Sequence, residues 1–109
     1  MSKPARDTQI EHALRRSVAS VRMLIALHHL REARTNQLAR AAAIPPGRVK
    51  WIYAGRMPYY RPDQSHRSLG FVTRHGHWRR PVYRITEEGD RVARLVLRER
   101  WRQGGPGGI

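Results

Sequence analysis

Apolar positions near the start of the chain recur at helical spacing. Ile10, Leu14, Ser17, Val21, Leu24 and His28 stand 4, 3, 4, 3 and 4 residues apart, and Val18 and Ile25 widen the stripe. The pattern predicts a helix over 10–30. After the polar link R-E-A-R, Thr35 stands where an N-cap belongs, ahead of Leu38 and Ala39, so a second, short helix is expected over 35–43. Ile44-Pro45-Pro46-Gly47 must break it, because proline lacks the amide donor that a helix interior needs. Proline suits a first helical turn, so a third helix is expected over 46–55, with Val49 and Ile52 inward and Gly55 as its stop.

The pattern then changes. Arg56 to Pro62, R-M-P-Y-Y-R-P, reads as a loop, and Asp63 to Leu69 as one more helical turn capped by Asp63 and ended by Gly70. Two extended runs, 71–74 and 78–85, are expected to turn at His75-Gly76-His77. Pro81 cannot donate to a ladder, which argues for an edge strand or a solvent-facing position there. Thr86 can cap a last helix over 87–101, with Glu87, Glu88 and Asp90 at its positive end and Val92, Leu95 and Val96 inward. The expected fold is α+β, mainly α with a small β-hairpin. One domain over 10–102 is expected between a flexible start, 1–9, and a glycine-rich disordered tail, 103–109.

Charge changes the picture from fold to partner. The chain has 109 residues, room for one domain, with 22 Lys+Arg against 8 Asp+Glu and a formal net charge of +14. Such self-repulsion is best relieved by a polyanion. Lys3 and Lys50 are the lysines, so 20 of the basic residues are arginine, whose planar fork suits phosphates and guanine edges. The absence of cysteine excludes disulfides, thiolate metal sites and Cys nucleophiles. The apolar run Met23 to Leu30 falls short of the roughly 20 residues of a membrane span. With no secretory signal ahead of it, a cytoplasmic, nucleoid-associated protein without membrane attachment is expected.

The 35–52 stretch, T-N-Q-L-A-R-A-A-A-I-P-P-G-R-V-K-W-I, carries the spacing of a helix-turn-helix. Leu38, Ala42, Ile44, Val49 and Ile52 supply the apolar set, Ala39 the small residue at the crossing, and Ala43 stands in place of the usual turn glycine. With S-L-G-F-V (68–72), the basic hairpin and V-Y-R-I-T-E-E-G (82–89), residues 14–97 resemble the winged helix-turn-helix transcription regulators. The likeness is greatest to the small regulators common in archaea and to the PadR and MarR groups. It implies a DNA-binding protein, often a dimer, with the third helix in the major groove and the hairpin, or wing, along the phosphates. Two features depart from that pattern. The third helix opens Pro-Pro-Gly, so Arg48, Lys50 and Trp51 are left as readers, and 56–67 resembles an insertion whose Tyr59, Tyr60 and Arg61 form either a contact surface or packing.

The candidate nucleic-acid contacts are Arg48, Lys50, Trp51, Arg56, Arg74, His75, His77, Arg79 and Arg80. Arg74, Arg79 and Arg80 would grip phosphates or a narrow minor groove. Arg48 would read guanine or hold a phosphate, and Lys50 a phosphate. Trp51 would stack at a groove edge or pack, and Trp78 suits cross-strand packing better than a base wedge. Arg84 lies deeper in its strand. His75 and His77 form an H-x-H pair without further ligands nearby in sequence, so no metal, and no cofactor, is expected. Of His28 and His29, one is expected buried and one exposed. Helices 10–30 and 87–101 could also form a homodimer seam. No enzyme is expected: Ser17, Ser20, Ser65 and Ser68 stand in no nucleophile motif, and Glu87-Glu88 reads as a helix start. Competing readings are a non-specific architectural DNA coater, an RNA- or ribosome-binding basic winged-helix protein, and a module for an acidic protein partner.

Overall fold

Helix α1 (Val18–Leu30) begins where Ser17, in extended backbone, accepts a hydrogen bond from the Ser20 amide at 3.1 Å. The coordinates are those of a computed structural model, which describes residues 17–57 and 60–104, without the side chains of 99–104. The expected first helix is therefore corrected at Ser17, which caps rather than continues it; residues 10–16, with Leu14, lie outside the described residues, as do 1–9, Tyr59 and 105–109. The buried face of α1 is also wider than the expected stripe. Val21, Met23, Leu24, Ala26 and Leu27 are buried, whereas Val18 is 60% exposed. The cause is packing: α1 touches α2 (Thr35–Ala42), α3 (Pro46–Ala54) and α4 (Glu87–Gly104).

Arg31 ends α1 with φ at +70°, its amide donating to the Leu27 carbonyl at 2.7 Å. The chain is thereby turned into strand β1 (Glu32–Arg34), where the sequence pattern predicts only a polar link. Strands β2 (Val72–His75) and β3 (Val82–Ile85) complete an antiparallel sheet of order β1-β3-β2. Ala33 pairs with Tyr83, and Arg74 with Tyr83 on the other side. The expected hairpin gains a third strand, and β3 is central rather than an edge. Pro81 permits this because it stands just before Val82, outside the ladder. The strand expected over 78–85 is accordingly shortened to 82–85, and that over 71–74 shifts to 72–75. The connection is the loop 76–81, longer than the three-residue turn expected.

Arg34, not Thr35, occupies the N-cap of α2, without a side-chain capping bond. The helix stops at Ala42, one residue before the expected end. Ala43 adopts the left-handed conformation (φ 57°, ψ 48°), and Ile44 donates to the Ala39 carbonyl at 3.0 Å. Helix α3 starts at Pro46 and ends at Ala54, with Gly55 beyond it at φ +84°. A Cβ on Gly55 would stand 2.4 Å from the Pro62 backbone, so the residue must be glycine for 56–70 to fold back. That segment holds a 3-10 turn (Pro62–Gln64) where a turn capped by Asp63 was expected, and it buries Ser65 and His66. Thr86 caps α4 as expected: its hydroxyl accepts from the Gly89 amide at 3.0 Å and donates to the Gly70 carbonyl. Helix α4 continues to Gly104, past the expected end at 101 and into the expected tail.

The core gathers Met23, Leu24 and Leu27 of α1, Leu38 and Ala39 of α2, Val49 and Ile52 of α3, Phe71, Val72 and Tyr83 of the sheet region, and Val92 and Ala93 of α4. Leu95, expected inward, is 44% exposed. Tyr53 meets Tyr83 edge to face at 5.4 Å, which fixes α3 against the sheet. Among the described residues no helix is long and apolar enough to cross a membrane.

Two substitutions test this account with signs opposite to simple expectation. Alanine normally favours a helix over glycine by roughly 1 kcal/mol. At Gly89, however, a Cβ would lie 2.2 Å from the Phe71 carbonyl oxygen. Gly89→Ala should therefore lower stability, by about 1–3 kcal/mol, in urea denaturation. Ala43→Gly should raise it by about 0.5–1 kcal/mol by relieving the left-handed alanine.

Candidate nucleic-acid interface

The start of α2 and the loop 76–81 face each other across an open groove of about 980 Å³, lined by Arg34, Thr35, Asn36, Gln37, Arg40, Ala41, Arg79, Arg80 and Pro81. The two walls are distant in sequence. They are brought together by β1, which leads directly into α2 while pairing with β3, and by a hydrogen bond from the Arg34 guanidinium to the Arg80 carbonyl at 3.2 Å. Four arginines line the groove, no carboxylate does, and the first turn of α2 carries no acidic residue. The helix dipole and the uncapped amides add to the positive potential.

The carboxylates explain which arginines remain available. Glu32 holds Arg84 at 3.0 Å, Asp63 holds Arg61 at 3.1 Å, Glu88 holds Arg91, and Asp90 holds Arg31 and Arg94. Arg84 is thus a cross-strand partner within the β1–β3 pair, consistent with its depth in the strand. Among the described residues no carboxylate pairs with Arg34, Arg40, Arg48, Lys50, Arg56, Arg74, Arg79 or Arg80. Arg34 and Arg40 were missed in the sequence, where nothing distinguishes them from the other arginines.

The other expected contacts are distributed around this groove. Arg48 and Lys50 are exposed on α3. Trp51 is half-buried, with the Arg56 guanidinium 4.6 Å from its ring centre, so these two form a pair on the α3 side. The segment 56–67 packs on the core through Tyr60 and His66, leaving Arg61 and Arg67 exposed. Arg74 lies over Tyr53, 4.9 Å from the ring centre, which joins β2 to the end of α3. His75 bonds Thr73 Oγ1 at 2.7 Å, and His77 Nδ1 accepts from the Arg79 amide at 3.1 Å. Among the described residues no three His, Cys, Asp or Glu are grouped to hold a metal ion. Trp78 is corrected outright. It is 76% exposed, because the ladder ends at His75 and Val82 and leaves the indole without a facing strand.

Two titratable groups support the body behind the groove. Asp90 Oδ1 accepts from Arg31 at 2.5 Å and lies 2.6 Å from His28 Nδ1. Those bonds, the Arg31 one foremost, hold its carboxyl below the ordinary carboxylate range. His28 is half-buried and His29 exposed. His66 is 2% exposed; its Nε2 donates to the Ser20 carbonyl at 3.0 Å, and the buried Nδ1 has no partner among the described residues. Burial pushes its pKa down to about 4, against the opposing effect of the Ser20 bond.

Compared with known proteins, the chain matches no family model, no curated sequence and no solved structure.

The histidine yields a prediction of pH dependence. The unfolded chain takes up a proton at His66 near pH 6.5, while the folded chain resists it down to about 4. Stability should therefore fall as pH drops through that window, by on the order of 2–3 kcal/mol from this group. The depressed Asp90 adds a further loss at lower pH, as its carboxylate is protonated. Denaturation midpoints between pH 7 and 4 should show the first decline, and His66→Gln, which can keep the Ser20 bond without titrating, should flatten it.

Proposed function

We propose that this protein binds double-stranded DNA as a winged helix-turn-helix transcription regulator. In this reading α2 and α3 are the helix-turn-helix pair, and the loop 76–81 with β2 and β3 is the wing. The observation that carries the proposal is the unneutralised arginine groove. Every described wall residue that bears a charge is an arginine, and the Arg34–Arg80 bond joins walls 46 residues apart in sequence. A fold gains nothing from crowding like charges unless an anion comes between them.

Duplex DNA is favoured over the other polyanions by shape. Arg48 and Lys50 stand exposed on a helix nine residues long, and the major groove of B-form DNA admits an α-helix. The deep, narrow major groove of A-form RNA does not. Arg48 would then meet a base edge, Lys50 a phosphate, and Arg34, Arg40, Arg79 and Arg80 the backbone flanking it. Arg74 and Arg56, each laid on an aromatic ring, supply further cations at the margin. Association as a homodimer belongs to this reading, through α1 and α4, where Val18 and Leu95 are exposed.

With six to eight phosphate contacts, the logarithm of the binding constant should fall with the logarithm of salt at a slope of roughly −5 to −7. Arg79→Ala with Arg80→Ala should weaken all duplexes alike and lower the slope by about two, whereas Arg48→Ala should relax preference at one base pair. Fluorescence anisotropy on a panel of duplexes at several salt concentrations measures both. A salt-independent affinity, or structured RNA that duplex DNA cannot displace, would overturn the proposal.

A further inference from the structure

The tip of the loop 76–81 carries chemistry that a backbone grip does not need. Trp78 is exposed to 76%, although its indole is among the most favourable side chains to bury. Local bonds shape the loop around it. Gly76 turns the chain at φ +87°, the Arg80 amide donates to the His77 carbonyl at 2.9 Å, and the Arg79 amide donates to His77 Nδ1. The Arg34 bond to the Arg80 carbonyl fastens the base of the loop to the start of α2. The indole's own neighbours are planar or cationic. The His77 ring lies 5.8 Å away and 26° from parallel, and the Arg79 guanidinium lies 4.8 Å from the ring centre.

Resting on the nucleic-acid reading above, we infer that Trp78, with His77 and Arg79, is a stacking site for a DNA base that has lost its pairing partner. An exposed indole with a second ring and a guanidinium against it matches what bases stack on in single-stranded binding, and any base has the π-face required. Within an intact duplex those faces are hidden by neighbouring base pairs. A bulged, flipped or overhanging base offers one. The phosphate attached to such a base would fall to Arg79, Arg80 and Arg34, which border the groove beside the indole. The protein would thus seat where duplex meets unpaired strand, with α3 on the paired side and Trp78 on the unpaired side.

The test compares one duplex, its ends closed by loops, with the same duplex carrying a two-nucleotide bulge labelled with 2-aminopurine. Wild type should bind the bulged DNA tighter by roughly 5- to 100-fold, the worth of one stacked base, and change the 2-aminopurine emission. Trp78→Ala should abolish both effects while leaving affinity for the closed duplex within about twofold. Trp78→Phe should restore most of the preference. Because Trp78 is 76% exposed and is not a member of the core cluster, an unchanged melting temperature is expected for both variants and confirms that they fold. Equal affinity of wild type for the two DNAs overturns the stacking site but leaves duplex binding intact. Loss of both affinities in Trp78→Ala reduces Trp78 to a general contact and also overturns it. Failure of wild type to bind either DNA removes the nucleic-acid reading itself.

Discussion

One carboxylate holds the two ends of the fold in register. Asp90 sits in the first turn of α4 with 15% of its side chain exposed, and receives His28 and Arg31 from the end of α1 together with Arg94 from its own helix. That junction fixes the guanidinium of the residue whose backbone bends to φ +70°. A non-glycine residue does not adopt that conformation cheaply. The bend aims the next three residues along β3, and the Arg31 carbonyl accepts the Ile85 amide at 3.0 Å as the pairing begins. From β1 the chain enters α2 without a linker, so the position of the groove wall is set, through Arg34, by an ion pair on the far end of the strand.

The distribution of the few carboxylates gives the surface its polarity. A chain with so large a cationic excess has two uses for an acid: to tie its own arginines down, or to leave them free. Glu32, Asp63, Glu88 and Asp90 all do the first, on β1, in the 3-10 turn and on α4. Among the described residues, the arginines around the start of α2 and the hairpin loop receive none. The exposed pairs, Arg84–Glu32 and Arg61–Asp63, contribute little to stability. Their placement matters more through which cations it neutralises, and hence where the positive field at the surface is strongest.

The sequence carried the helices well because their signals are local. Proline at 45 and 46, the apolar spacing of Leu38, Ile44, Val49 and Ile52, and Thr86 ahead of an acidic turn each act within a few residues. Strand β1 was illegible for the opposite reason. Three residues with one buried alanine have no period to detect, and the strand exists because β3 pairs with it. Trp78 and Arg79 looked like strand, since an aromatic followed by alternating residues suits a sheet, but Pro81 cannot join the ladder and the pairing stops short of them. Arg48, Arg79 and Arg80 could be chosen from a hairpin and a motif. Arg34 and Arg40 could not, because their significance lies in the carboxylates that are elsewhere.

The loop 76–81 hangs from a single terminal ladder pair, His75 and Val82, and none of its residues enters the core. Beyond bonds within the loop itself, its hydrogen bond to the body among the described residues is the one from Arg34. Length and composition there are consequently decoupled from folding of the body. Residues could be inserted, removed or exchanged between Gly76 and Pro81 at small thermodynamic cost, since loop closure depends only weakly on length. The tip is thus the part of the molecule whose residues can change while the three-stranded sheet and the helices behind it stay the same.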